Sequence, residues 1–213
     1  IKIKNLSTKD HYSIYITSQN KKWSDKRNFK AFDSKGNHFK FLVASCMSDS
    51  FSNLAKYIWP KALSHKADAV FLIGDNIYAV IFSGVFLGRN ADVDPAHLWR
   101  RHVDHSIMIP LYHAKNVIPT YAIWDDHDFG LGDGGRNYRY KKESKEIFNT
   151  FFPRMKSKNS SYGPGLSSQL LMRDMNFLFL DGRSYRTAKG QQNGVHLGEK
   201  QRRWISRHIK GNY

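Results

Sequence analysis

The chain has 213 residues, 34 Lys and Arg against 18 Asp and Glu, a formal net charge of +16 and one cysteine. With 40% hydrophobic and 24% charged residues it is long and apolar enough for one sizeable core, which excludes a disordered or low-complexity chain. No apolar run has the length of a transmembrane segment, no charged and apolar leader precedes the first strand, and the lone Cys46 excludes an internal disulfide.

In chain order, residues 1–38 alternate weakly, with YSIYI as a half-buried strand and SQNKKWSDKRN as a loop or turn. Leu6 followed six residues later by Tyr12 has the spacing of a tyrosine corner, so this stretch reads as the remnant of an immunoglobulin-like β domain ending near Asp33. An α/β pattern starts at Phe39 and runs to residue 213. A strand over 39–45 leads to a helix from about Asp49 that carries Phe51, Leu54, Ala55 and Ile58 on one face and ends at Pro60.

A second strand, 69–73, precedes the loop or short hairpin AVIFSGVFLGRNADVD, and Pro95 opens a helix. The third strand, 119–124, runs into the glycine-rich FGLGDGGRN, then a helix holding Ile147, Phe148, Phe151 and Phe152 and a loop containing SKNSSYGPG. Strands 167–173 and 176–181 are close enough for an antiparallel hairpin, and the helix 197–209 closes the pattern, giving a mixed sheet. Residue 1 is Ile, and RHIKGNY follows a helical pattern with no element after it, so the chain reads as a fragment. His65, His97, His102, His105 and His113 have no partner spacing and read as surface or helix residues.

Four apolar runs stop on residues that can hold a metal: FKFLVASC at Cys46, AVFLIGD at Asp75, YAIWDDHD at Asp125 to Asp128, and NFLFLD at Asp181. In open α/β sheets, ligands bind outside the carboxyl ends of the strands, so polar residues placed there converge in space. Carboxylates crowded together raise one another's pKa values, and a multivalent cation relieves the repulsion. Acids are otherwise scarce: residues 183–213 carry eight Lys and Arg against one acid. A carboxylate centre in a basic surround suits an anionic substrate.

The ordered set ASC at 44–46, GDNIY at 74–78, IWDDHDFG at 123–130, FLFLDGRSYR at 177–186 and LGEKQRRWI at 197–205 resembles the PhoD-like alkaline phosphatases, a branch of the calcineurin-like metallophosphoesterases. The resemblance implies part of an α/β/β/α sandwich over 39–213 after the immunoglobulin-like remnant. It also implies a phosphomonoesterase or phosphodiesterase with ferric iron and calcium, exported to the periplasm or beyond. Carried over by motif position, Cys46, Asp75 and Tyr78 hold the iron, Asp75 bridges to the other cations, and Asp126 is the next ligand beside Asp125 and Asp128. His127 contacts phosphate or protonates the leaving oxygen, and Arg183 with Arg186 neutralises phosphate charge. Thiolate and phenolate suit a high-valent iron and carboxylates suit calcium. The implied reaction is attack by a metal-activated water, with no protein nucleophile.

Two departures stand out. Gly132 replaces the Asn of the family's DDHD-x-x-x-Asn loop, with Asp133 as a substitute, and the remaining acid and histidine ligands would follow Tyr213. The 213 residues alone are therefore expected to be inactive or nearly so, and iron-dependent hydrolysis by them would refute this. The implied substrate is a phosphorylated small molecule or a phospholipid head group, with nucleic acid entering only as an anionic substrate or nonspecific binder. A non-catalytic relative, supported by Gly132, and a basic nucleic-acid-binding module, supported by KKWSDKRNFK and RNYRYKK, are the competing classes.

Overall fold

The computed structural model describes residues 3, 5–7, 10–31, 38–48, 52–82, 85–86, 92–154, 160–188 and 190–209. The chain opens with the strands β1 (His11–Thr17) and β2 (Ser24–Lys30), then β3 (Phe41–Ala44), helix α1 (Ser52–Ser64), β4 (Ala69–Ile73) and the short β5 (Ile81–Phe82) and β6 (Val85–Phe86). Helix α2 (Pro95–Met108) and a 3-10 turn (Pro110–His113) lead to β7 (Asn116–Val117), β8 (Thr120–Ile123), α3 (Asp126–Phe129) and α4 (Lys141–Phe151). The strands β9 (Ser160–Tyr162), β10 (Ser168–Met172) and β11 (Met175–Phe179) precede α5 (Glu199–Ile209).

The parallel sheet β3-β4-β8 forms because its central strand is apolar on both faces: Ala69, Val70 and Leu72 are fully buried. One face packs through aromatic edges onto the antiparallel sheet β11-β10-β9, with the Phe71 ring 4.8 Å from Phe177 and 5.4 Å from Phe179. Val70 and Leu72 on the opposite face meet Trp59 of α1 and Ile109 and Leu111 at the 3-10 turn. Asp94 caps α2 by accepting from the Ala96 and His97 amides, with Pro95 at the first turn, as its sequence signals.

Several expectations need correction. Polar SDKRNFK, of which SDKRN reads as loop in the sequence, is strand β2 because it pairs along its whole length with β1, His11 opposite Lys30 through Thr17 opposite Ser24. Helix α1 does not stop at Pro60; it runs four residues past it. Burial of Trp59 beside the proline, with Leu63 packed one turn on, offsets the lost backbone hydrogen bond, while Leu54 and Ile58 lie exposed. Part of the supposed loop after α4 is strand β9, and DHDF is the short helix α3. Of the histidines read as surface or helix residues, His102 and His105 lie on α2 and are buried.

The Tyr12 hydroxyl accepts from the Ser7 amide at 2.6 Å, closing the amino-terminal turn. β2 pairs in parallel with β7, and Arg27 Nη1 donates to the Tyr112 and Ala114 carbonyls, which docks the hairpin on the α/β part. The expected domain limit at Asp33 and the helix start at Asp49 lie outside the described residues. Among the described residues, no helix is long and apolar enough to cross a membrane.

Candidate metal centre

Parallel pairing decides where the motifs go. Ala44 lies opposite Leu72 and Ile73 opposite Ile123, so the three strands end together and release Cys46, Asp75 and Asp125–Asp126 at one rim. The turns there are tight. Cys46 and Asp75 hold left-handed backbones, φ 57° and 51°, a conformation that costs a non-glycine residue on the order of 1–2 kcal/mol. The Cys46 amide donates to the Gly74 carbonyl and the Met47 amide to the Asp75 carbonyl, which locks the two turns to each other. Gly74, at φ 113°, is required by space as well: a Cβ on it would stand 2.6 Å from that of Asp125.

The side chains meet accordingly. Cys46 Sγ lies 3.9 Å from Asp75 Oδ2, and the Tyr78 hydroxyl is close enough to both residues to feel their charge. Asp75, Asp126 and His127 each offer an atom within 4.8 Å of the others, a spacing one cation can bridge. The His127 amide donates to Asp75 Oδ1, and its ring stacks on Tyr78 with centroids 4.2 Å apart. Burial pushes the Asp75 carboxyl above the usual carboxylate range; His127 opposes this, and Asp126 and Asp125 add to it. Burial likewise raises the Tyr78 phenol, helped by Asp75 and Cys46.

Arg183 serves this rim as a clamp. It is buried, its Nε donates to Asp125 and its Nη2 to Asp126 Oδ1 at 3.4 Å. Its own burial works against its charge, yet the bond to Asp125 and the nearby acids leave its pKa raised. Asp126 also accepts from the Asp133 amide at 2.7 Å, so the residue after Gly132 reaches the cluster through its backbone. No contact among the described residues links the Arg186 side chain to the cluster.

Asp128 and Asp181 have other tasks. Fully buried Asp128 accepts from the Asp125 amide, the Asn76 side-chain amide and the Ile77 amide, tying the GDNIY turn to α3; burial drives its pKa well up. Asp181, grouped by pattern with the metal-holding residues, is not one of them. Its carboxylate accepts from Trp124 Nε1, the Leu166, Arg183 and Ser184 amides and the Ser184 hydroxyl, five donors that leave no place for a cation. Gln201 of α5 completes this hub, gripping the Asp181 amide and carbonyl. Asp181→Asn is expected to cost about 2–4 kcal/mol of stability, since an amide turned toward five donors strands at least one, and denaturant unfolding measures it.

Sequence reasoning missed Asn76 and Gln201. Asn76 sits inside GDNIY, and its full burial at a strand end marks it only once the fold is known.

The donor set fits a metal. Thiol, phenol, two carboxylates and imidazole converge with one guanidinium as the compensating cation, and His127 Nδ1 and Asn76 Oδ1 are buried without a hydrogen-bond partner. Cys46, Asp75 and Tyr78 form one side of the group and Asp126 with His127 the other.

Among the described residues, five α-helices and several small sheets, with oxygen, sulfur and nitrogen donors at the carboxyl ends of the parallel strands, define the class: an α/β protein with a candidate metal centre. Within that class its fold is similar to the solved structure of PhoD, with a TM-score of 0.61 and 18% identity over 93% of this chain. The match covers 44% of the PhoD chain, so this chain spans less than half of the structure it resembles. No protein-family model and no curated protein sequence matches it.

Proposed function

We propose that this chain is the metal-holding portion of a phosphate-ester hydrolase of the PhoD type, a phosphomonoesterase or phosphodiesterase. The approach of Asp75, Asp126 and His127 to within 4.8 Å of one another, beside Cys46 and Tyr78, carries the reading. Cys46, Asp75 and Tyr78 would hold ferric iron and the carboxylates of Asp75, Asp126 and Asp125 calcium, as the sorting of soft and hard donors favours. Such cations supply Lewis-acid polarisation of the phosphate and a nucleophilic water.

The chain's own residues do the rest. Arg183 holds Asp125 and Asp126 in register, and its guanidinium would offset charge on a bound phosphate. His127, fixed by its amide bond to Asp75 and its stack on Tyr78, faces the same rim and can give a proton to the leaving oxygen. The excess of basic residues would draw in phosphorylated small molecules, phospholipid head groups or, without specificity, nucleic acid. The same resemblance supports export to the periplasm or beyond. Because the matched chain is more than twice as long, hydrolysis by these 213 residues alone is expected to be weak or absent.

Metal uptake tests the reading. The chain titrated with ferric iron is expected to bind it and to develop the visible charge-transfer absorption of thiolate and phenolate ligation, which Tyr78→Phe shifts and Cys46→Ser weakens. Uptake should tighten as pH rises, with protons released, because raised pKa values at Asp75 and Tyr78 extend the competition by protons upward. No uptake, or the same spectrum from both variants, overturns it.

A further inference from the structure

A second cleft, of about 840 Å³, lies between β8, the β9–β11 sheet and the end of α4. None of Cys46, Asp75, Tyr78, Asp126 and His127 lines it. Its walls are more apolar than polar, with Tyr121, Phe152, Leu170, Met172 and Phe179 among them. Two polar groups on its lining are incompletely satisfied. Arg154 donates from Nε to Asn149 Oδ1 and from Nη1 to the Ser167 carbonyl, and it stacks 4.7 Å above the Tyr162 ring. No carboxylate of the described residues pairs with it, and burial depresses its pKa, with Tyr162 and the more distant Asp181 opposing this. The Tyr162 hydroxyl is buried with no hydrogen-bond partner. Arg27, the other guanidinium at this cleft, is paired with Asp25 and two carbonyls.

A partly buried cation without a counter-charge and an orphaned hydroxyl beside it are both costly, and one anionic acceptor satisfies both. The cavity has the size and apolar lining of a site for a whole small molecule rather than a bare oxyanion. We propose that this cleft binds an amphipathic anion, a carboxylate or phosphate monoester head set against Arg154 and Tyr162 with an apolar body along Leu170, Met172 and Phe152. The site is independent of the metal centre.

Calorimetric titration of the full chain with decanoate and with decyl phosphate, both below their micelle concentrations, tests this and separates the two kinds of head group. Saturable one-to-one binding is expected for at least one of them, with decanol and decyltrimethylammonium at least about tenfold weaker. Arg154→Leu should weaken anion binding about tenfold or more and Tyr162→Phe about threefold, while Arg154→Lys, which keeps the charge but not the planar fork, retains part of it, and thermal unfolding of each variant guards against a folding defect. Asp75→Asn should leave it unchanged. Equal binding of the neutral amphiphile, no saturable binding of either anion, or an Arg154→Leu protein that folds and binds like the parent overturns the proposal.

Discussion

Asp75→Asn is expected to lower metal affinity by at least roughly 100-fold, the upper end of what even outer-sphere changes cost, because Asp75 is the one carboxylate that touches both sides of the cluster. The same substitution should leave the metal-free protein as stable as before or more so. The folded state raises the Asp75 pKa, so this group favours folding below its unfolded value near 3.8 and loses that contribution as pH rises through the folded value. At neutral pH the ionised side chain is a cost, through burial and through Asp126 and Asp125, and the neutral amide removes it. Asparagine also tolerates the left-handed backbone found there. Opposite signs for binding and for stability separate a lost ligand from a damaged fold. Calorimetric metal titration beside thermal unfolding reads both, and a variant that binds metal like the parent would sink the assignment of Asp75.

Acid is expected to unfold this protein largely through His102. The side chain is buried in α2, stacked on Phe151 with centroids 4.8 Å apart and flanked by Phe148 and Phe152, and its Nε2 finds no hydrogen-bond partner. Burial, with the neighbouring His105 adding to it, lowers its pKa from 6.5 to about 3. Between those values the unfolded chain takes up a proton that the folded one refuses, so stability falls as pH falls below 6.5, by about 1.4 kcal/mol per pH unit. At pH 4.5 the accumulated loss is about 3 kcal/mol, a large part of a domain's stability. His102→Phe should remove that slope. Urea unfolding of parent and variant at pH 7.5 and 4.5 gives the comparison, and parallel losses in the two proteins would contradict it.

The sequence shows the buried strand β4 plainly, because it is an uninterrupted apolar run, but it merges the hairpin 167–181 into one mixed sheet where the fold has a parallel sheet and a separate antiparallel one. It hides β2 and β9, whose polar residues become strands only through the partners they meet. Pro60 misleads because a breaking residue can be outvoted by a tryptophan next to it. The candidate centre is legible for a geometric reason: parallel strands in register end at one rim, so Cys46, Asp75, Tyr78, Asp126 and His127 converge although 81 positions separate the first from the last. Pattern alone could not separate Asp181 from Asp75. Both end apolar runs, and only the amides folded around Asp181 reveal an acceptor already satisfied. Arg183 reads in the sequence either as a phosphate-gripping residue or as the partner of a neighbouring acid, and in the fold it pairs with two carboxylates.

Asp128 joins the turn at 74–78 to the helix at 126–129 entirely through amide groups, two from the main chain and one from Asn76. That link uses neither the side chain at 46 nor the one at 78, although the Tyr78 ring also steadies His127 by stacking on it. Exchanging position 46 alone among cysteine, histidine and aspartate should therefore retune which ion the rim prefers while the turn at 74–78 and the helix at 126–129 keep their spacing.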